Sequence, residues 1–155
     1  MKFKTREDIA APIDYVFGAI SDFEGFERQA LRRGAEVARL DELEEPGEGM
    51  GWHIAFPFRG KRREMDVELV DYSPSTRMLL DSRMPGMNGE MSVELMALSK
   101  GRTRLELVIE FRPETLAARL LVQSIKLARS SLNKRLQLRV ADFAKNTEDR
   151  YTRMA

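Results

Sequence analysis

Between Ala35 and Phe111 the apolar residues recur at every second position, and after Pro113 they recur every third or fourth. A period of two held over about 75 residues requires several strands, each with one buried and one wet face. The interruptions read as turns: Gly60, Ser73-Pro74-Ser75, Pro85-Gly86 and Lys100-Gly101. Connections that short join strands only as hairpins, so the sheet is antiparallel and covered on one face. Trp52, Ile54, Phe56 and Phe58 share the inward face of one strand, and Met65, Val67 and Leu69 that of the next. Met78 and Leu80, then Met91, Val93 and Leu95, then Leu105, Leu107 and Ile109 continue the pattern.

What flanks this region is shorter. Phe3, Thr5, Glu7 and Ile9 alternate in a first strand that Pro12 stops, and Pro12 is suited to open a helix. Ile13, Val16, Phe17 and Ile20 then follow at helical spacing. Ser21 or Asp22 caps a second helix from Phe23 to about Arg33, ended by Gly34. A strand around Glu36–Leu43 runs into the acidic loop Glu44 to Glu48. Past Pro113, Leu121, Ile125, Ala128, Leu132, Leu136, Val140 and Phe143 form one apolar stripe. An unbroken helix from Glu114 to Lys145 would be about 48 Å long, in a domain only about 40 Å across. A bend near Gln123–Ser124 or a projecting end is therefore expected. The expectation is one α+β domain over residues 1–155: seven antiparallel strands, two short helices after the first, and a long C-terminal helix.

Composition removes whole chemistries. No cysteine is present, which excludes disulfides, thiolate zinc sites and cysteine nucleophiles. One histidine, His53, leaves no histidine pair for a metal, and no metal or cofactor is expected. His53 is also out of phase with Trp52 and Ile54, so parity turns it away from the apolar face and from any enclosed substrate. Neither a glycine-rich phosphate loop nor a Ser-His-Asp set can be assembled. The opening residues MKFKTRED hold no apolar segment, and a cytoplasmic location is expected.

The run Ile9-Ala10-Ala11-Pro12-Ile13-Asp14-Tyr15-Val16-Phe17 through Ile20-Ser21-Asp22 resembles the opening of the START-like (SRPBCC) superfamily. Gly49-Met50-Gly51-Trp52 leading into a long strand, the Gly101-Arg102-Thr103 hairpin and the terminal helix are similar too. The resemblance covers nearly the whole chain and is closest to bacterial members of polyketide cyclase or dehydrase type. It implies a helix-grip fold with a ligand cavity between sheet and C-terminal helix. The superfamily holds carriers, enzymes and chaperone activators alike, so the resemblance speaks for a container rather than a reaction.

Six of the nine methionines, at 65, 78, 84, 87, 91 and 96, fall in the central strands and their loop. Flexible thioethers suit an irregular core or an adaptable apolar cavity equally. For a cavity wall the inward parity nominates Trp52, Phe56, Met65, Val67, Met78, Leu80, Met91, Leu95 and Leu107, with Leu121 and Ile125 from the helix. Arg39 and Arg63 share that parity and are candidate anchors for an anionic head group. The near-zero net charge hides an asymmetry. Thr115 to Ala141 holds Arg119, Lys126, Arg129, Lys134, Arg135 and Arg139 and no acid, whereas Glu36 to Glu48 holds six acids and one base. A basic amphipathic helix suits an anionic membrane or an acidic partner. Nucleic acid is not expected, because no aromatic side chains interleave those charges. The leading reading is a binder or carrier of a small hydrophobic molecule of lipid, isoprenoid or aromatic polyketide type. A cyclase or dehydratase, and a membrane- or partner-binding module, are the alternatives.

Overall fold

The computed structural model describes residues 1–154; Ala155, the last residue of the expected domain, lies outside them. The chain runs β1 (Lys2–Ile9), α1 (Ile13–Ile20), α2 (Phe23–Arg32), β2 (Glu36–Arg39) and β3 (Gly51–Phe58). It continues through β4 (Lys61–Ser73), β5 (Arg77–Met84), β6 (Met87–Ser99) and β7 (Arg102–Pro113) to α3 (Leu116–Leu127) and α4 (Arg129–Met154). All strands join one antiparallel sheet in the order β1-β7-β6-β5-β4-β3-β2. The hairpins account for five neighbouring pairs, and β1 completes the sheet beside β7, with Phe3 opposite Ile109. Arg59 and Gly60 both adopt positive φ, 53° and 72°, the type I′ geometry that matches strand twist in a two-residue hairpin.

Bulges at Leu69/Asp71 in β4 and at Ala97/Ser99 in β6 add local bend and twist. The sheet thereby wraps one face around α4, which runs alongside β1: Arg129 donates to the Lys2 carbonyl at one end and Glu148 accepts from the Ala10 N–H at the other. Val140 and Ala144 of α4 enter the main core with Ile9, Val16, Phe17, Leu69 and Leu105. This is the helix-grip arrangement.

Two expectations shift in detail. The second strand stops at Arg39 rather than Leu43, because Asp41 ties the chain into a loop. Its carboxylate accepts from Arg39 Nε at 2.9 Å and from the backbone N–H groups of Leu43 and Gly51 at 3.0 and 2.8 Å. Arg39, with those N–H groups, holds the Asp41 carboxyl far below the usual carboxylate range. The helical tail does break, at Ala128 and not at Gln123–Ser124. Ala128 leaves the helical basin (φ −103°, ψ 13°), so the apolar stripe is shared between two helices packed on different places.

The corner between β1 and α1 is pinned by one buried contact. Thr103 Oγ1 donates to the Ala11 carbonyl at 2.8 Å, and neither residue is exposed at all. Thr103→Val keeps the shape and removes the donor, leaving that carbonyl unpaired away from water. The expected loss is about 1–3 kcal/mol of unfolding free energy in a urea titration. A change below about 0.5 kcal/mol would show that the corner does not depend on this bond.

Candidate functional site

The inward residues of β3 to β6 do not all reach a helix. Ile54, Met65, Val67, Leu80 and Met91 have the parity of core residues and yet are only half-buried. They face a cavity of about 550 Å³, inside the range of about 300–1,000 Å³ that small-molecule sites occupy. Its sheet wall consists of Trp52 and Ile54 of β3, Met65 and Val67 of β4, and Met78 and Leu80 of β5. Met91 and Val93 of β6 and Leu105 and Leu107 of β7 extend it. Opposite stand Ile20 of α1, Phe23, Phe26 and Ala30 of α2, and Val140 and Phe143 of α4. Polar groups are few and sit on the helices: Glu27 and Gln29 of α2 with Arg33 at its end, and Arg139 and Asn146 of α4. Glu27 is committed, since its Oε1 accepts from Trp52 Nε1 at 3.0 Å and fixes the indole in the wall. Gln29, Arg33, Arg139 and Asn146 are exposed and form the mouth.

Of the eleven residues nominated for the wall, Trp52, Met65, Val67, Met78, Leu80, Met91 and Leu107 stand on it. The other four do not. Phe56 lies two residues nearer the β3–β4 hairpin, opposite Arg63 and beyond the reach of the cavity. Leu95 is buried in the solid part of the core, where β6 meets α1. Leu121 packs in a separate cluster with Met84, Met87, Phe111, Ala118 and Val122, because the break at Ala128 swings α3 off the cavity. Ile125 is buried on that same helix.

Neither nominated anchor reaches the cavity. Arg39 is bonded to Asp41, and its guanidinium lies 5.7 Å from the ring centre of Trp52, its neighbour across β2 and β3, without lining the cavity. Arg63 donates to the Phe58 carbonyl at 3.3 Å and stacks 5.8 Å over that ring. The cations at the mouth are Arg33 and Arg139 instead, and neither is ion-paired among the described residues. The face of α2 could have been found in the sequence: Phe23, Phe26, Glu27, Ala30 and Arg33 recur at steps of three and four. The methionines divide: Met65, Met78 and Met91 line the cavity, Met84 and Met87 pack beneath α3, and Met96 is exposed.

A seven-stranded antiparallel sheet gripping a long C-terminal helix, with an apolar cavity between them, defines a START-like domain. The chain belongs to the polyketide cyclase / dehydrase and lipid transport family, whose model matches residues 1–148. Among solved structures it is similar to the Zhui aromatase/cyclase of a Streptomyces, at 16% identity and a TM-score of 0.68, over 97% of this chain and 94% of that one. It is similar to a norcoclaurine synthase point mutant of Thalictrum, at 11% identity and a TM-score of 0.66, over 97% and 95% of the two chains. A START superfamily protein of Mycobacterium smegmatis aligns at 10% identity and a TM-score of 0.56, over 88% and 97%. At these identities the likeness is one of fold. No curated protein matches the chain in sequence. Among the described residues no helix is long and apolar enough to cross a membrane, and no group of three or more His, Cys, Asp or Glu side chains is placed to hold a metal ion.

His53 lies on the outer face of β3, away from the cavity. Its Nδ1 is 2.6 Å from Asp66 Oδ1 and its Nε2 3.2 Å from Glu64 Oε1, both on β4. The two carboxylates raise the imidazole pKa above its ordinary value, Asp66 more than Glu64. A raised value means that this cluster stabilises the fold below the unfolded histidine's pKa and loses its effect as pH rises through the folded one. As the only histidine, His53 gives a single imidazole titration by NMR. Its midpoint is expected above about 6.5 and is expected to fall on Asp66→Asn. A midpoint at or below the ordinary value would contradict the placement.

Proposed function

We propose that this protein binds and carries a small hydrophobic molecule of lipid, isoprenoid or aromatic polyketide type. The observation that carries the reading is the row of inward, half-buried apolar side chains around an open space of about 550 Å³. Apolar ligand surface moved there from water contributes about 25 cal/mol per Å². The three wall methionines adapt to ligands of different outline without a rigid template. Family membership supports the same reading, since lipid transport is among the activities by which the family is described.

The mouth refines the ligand class. Arg33 and Arg139 are unpaired cations beside Gln29 and Asn146, at the one edge of the cavity where a head group would meet water. A ligand with an apolar body and an anionic or strongly hydrogen-bonding head fits both parts. A second reading, a cyclase or dehydratase, has one observation in its favour. Glu27 places a carboxylate on the wall, and aromatase/cyclase and synthase are names borne by similar structures. Glu27 is already bonded to the Trp52 indole, and among the described residues no other acidic side chain lines the cavity, so the carrier reading takes precedence.

Trp52 is the only tryptophan and stands on the wall, which makes its emission a direct reporter. Titration with a long-chain fatty acid is expected to change that emission saturably. Val67→Phe, opposite Trp52 on β4, fills the space and is expected to weaken binding about tenfold. Arg33→Gln with Arg139→Gln is expected to abolish any preference for the acid over the alcohol of equal chain length. No saturable change with either probe would overturn the carrier reading. Binding of both with equal affinity to the unsubstituted protein would overturn only the assignment of the head group.

A further inference from the structure

Helix α3 carries more apolar surface than the fold uses. Ala118, Val122 and Ile125 form the buried face of α3. On the opposite side Leu116, Leu120 and Leu127 are 73%, 63% and 92% exposed. At about 100° per residue these three leucines fall within about 40° of the helix circumference, so they make one ridge along its outer side. Scattered exposed leucines need no explanation, but an aligned row on a helix already packed by its other face does.

From Thr115 to Ala141 the charges are of one sign, and Glu114 just before them accepts from Asn88 Nδ2 at 2.6 Å. Arg119 and Lys126 flank the ridge on α3, and Lys134 and Arg135 follow on α4, with no acidic residue between Thr115 and Ala141. Arg129 is turned to β1, where it donates to the Lys2 carbonyl and stacks over Phe3. None of the four cations Arg119, Lys126, Lys134 and Arg135 is in an ion pair among the described residues. Arg59 at the β3–β4 hairpin tip reaches this helix through Ser124 and adds another cation. A protein partner with an apolar groove would satisfy the ridge alone. A surface that takes an apolar ridge and at the same time answers a wide field of unpaired cations is an anionic lipid leaflet. Leucines enter the acyl boundary while Arg and Lys heads stay at the phosphate level.

We infer that the outer face of α3, with the first turns of α4, is a docking surface for anionic membranes. This goes beyond the cavity and does not depend on what the cavity holds.

The test is flotation of the full chain with vesicles of phosphatidylcholine alone and of phosphatidylcholine with about 30% phosphatidylglycerol. Binding is expected only to the anionic vesicles and is expected to weaken when salt is raised from about 0.1 to about 0.5 M. The triple variant Leu116→Gln, Leu120→Gln, Leu127→Gln keeps helix-forming side chains and is expected to bind about tenfold more weakly or worse. Arg119→Gln with Lys126→Gln leaves the ridge intact and is expected to weaken binding about tenfold through charge alone. Far-UV circular dichroism checks the fold of each variant. No flotation with the anionic vesicles would overturn the inference, as would unchanged binding by a folded triple variant. A dimer in light scattering that the triple variant disperses, without vesicle binding, would give the face to a second copy instead.

Discussion

A sheet of seven strands is about 29 Å wide at about 4.8 Å per spacing, and an α-helix with its side chains is only about 10 Å across. One long helix cannot cover the apolar face of such a sheet, and the rest of this molecule follows from that shortfall. The bulges in β4 and β6 curl the sheet, α4 lies alongside β1, and α2 closes in from the β2 edge. Between α2 and α4 the inward residues of the middle strands are left facing each other's open side. They are valines, leucines, methionines and Ile54, with the single indole held in the wall by Glu27, and they leave that space open. Apolar surface left without a partner forgoes dispersion contacts along its whole lining. A ligand that supplies them gains what the fold left unused.

Charge is distributed to suit that plan. The outer face of the sheet carries cross-strand pairs such as Lys2 with Glu110, Arg112 with Glu90 and His53 with Asp66. These exposed pairs contribute little individually, and they keep that face wet. Among the described residues the cations at the cavity mouth, Arg33 and Arg139, and those around the outer ridge of α3, Arg119 and Lys126, are in no ion pair. Net charge is near zero because the basic stretch Thr115 to Ala141 is offset by acidic stretches such as Glu36 to Glu48.

Parity was the strongest signal in the sequence, and its reach has a physical limit. It assigns each strand residue to a face, so Trp52, Met65, Leu80 and Leu107 were correctly turned inward and His53 outward. It does not say how far along a strand the covering helices extend, and for that reason it nominates Phe56 and Leu95 for a wall they do not reach. Arg39 and Arg63 also have inward parity, but they lie at the margins of the covered face and stack on aromatic rings there. The apolar stripe of the tail was legible. The break at Ala128 was not, because alanine carries no breaking signal and the turn is set by where α3 and α4 pack. The sequence pattern puts Arg139 on a basic outer face, whereas the geometry of α4 brings it to the cavity mouth.

The space between sheet and helices is proposed to receive an apolar ligand. Methyl NMR of the nine methionines tests it most directly, because they sample the cavity, the packed cluster under α3 and the exterior in one spectrum. On addition of a long-chain fatty acid, the Met65, Met78 and Met91 methyl resonances are expected to shift saturably while Met96 and Met154 stay in place. Shifts confined to Met96 and Met154, or no shift at the three wall methionines, would contradict the account.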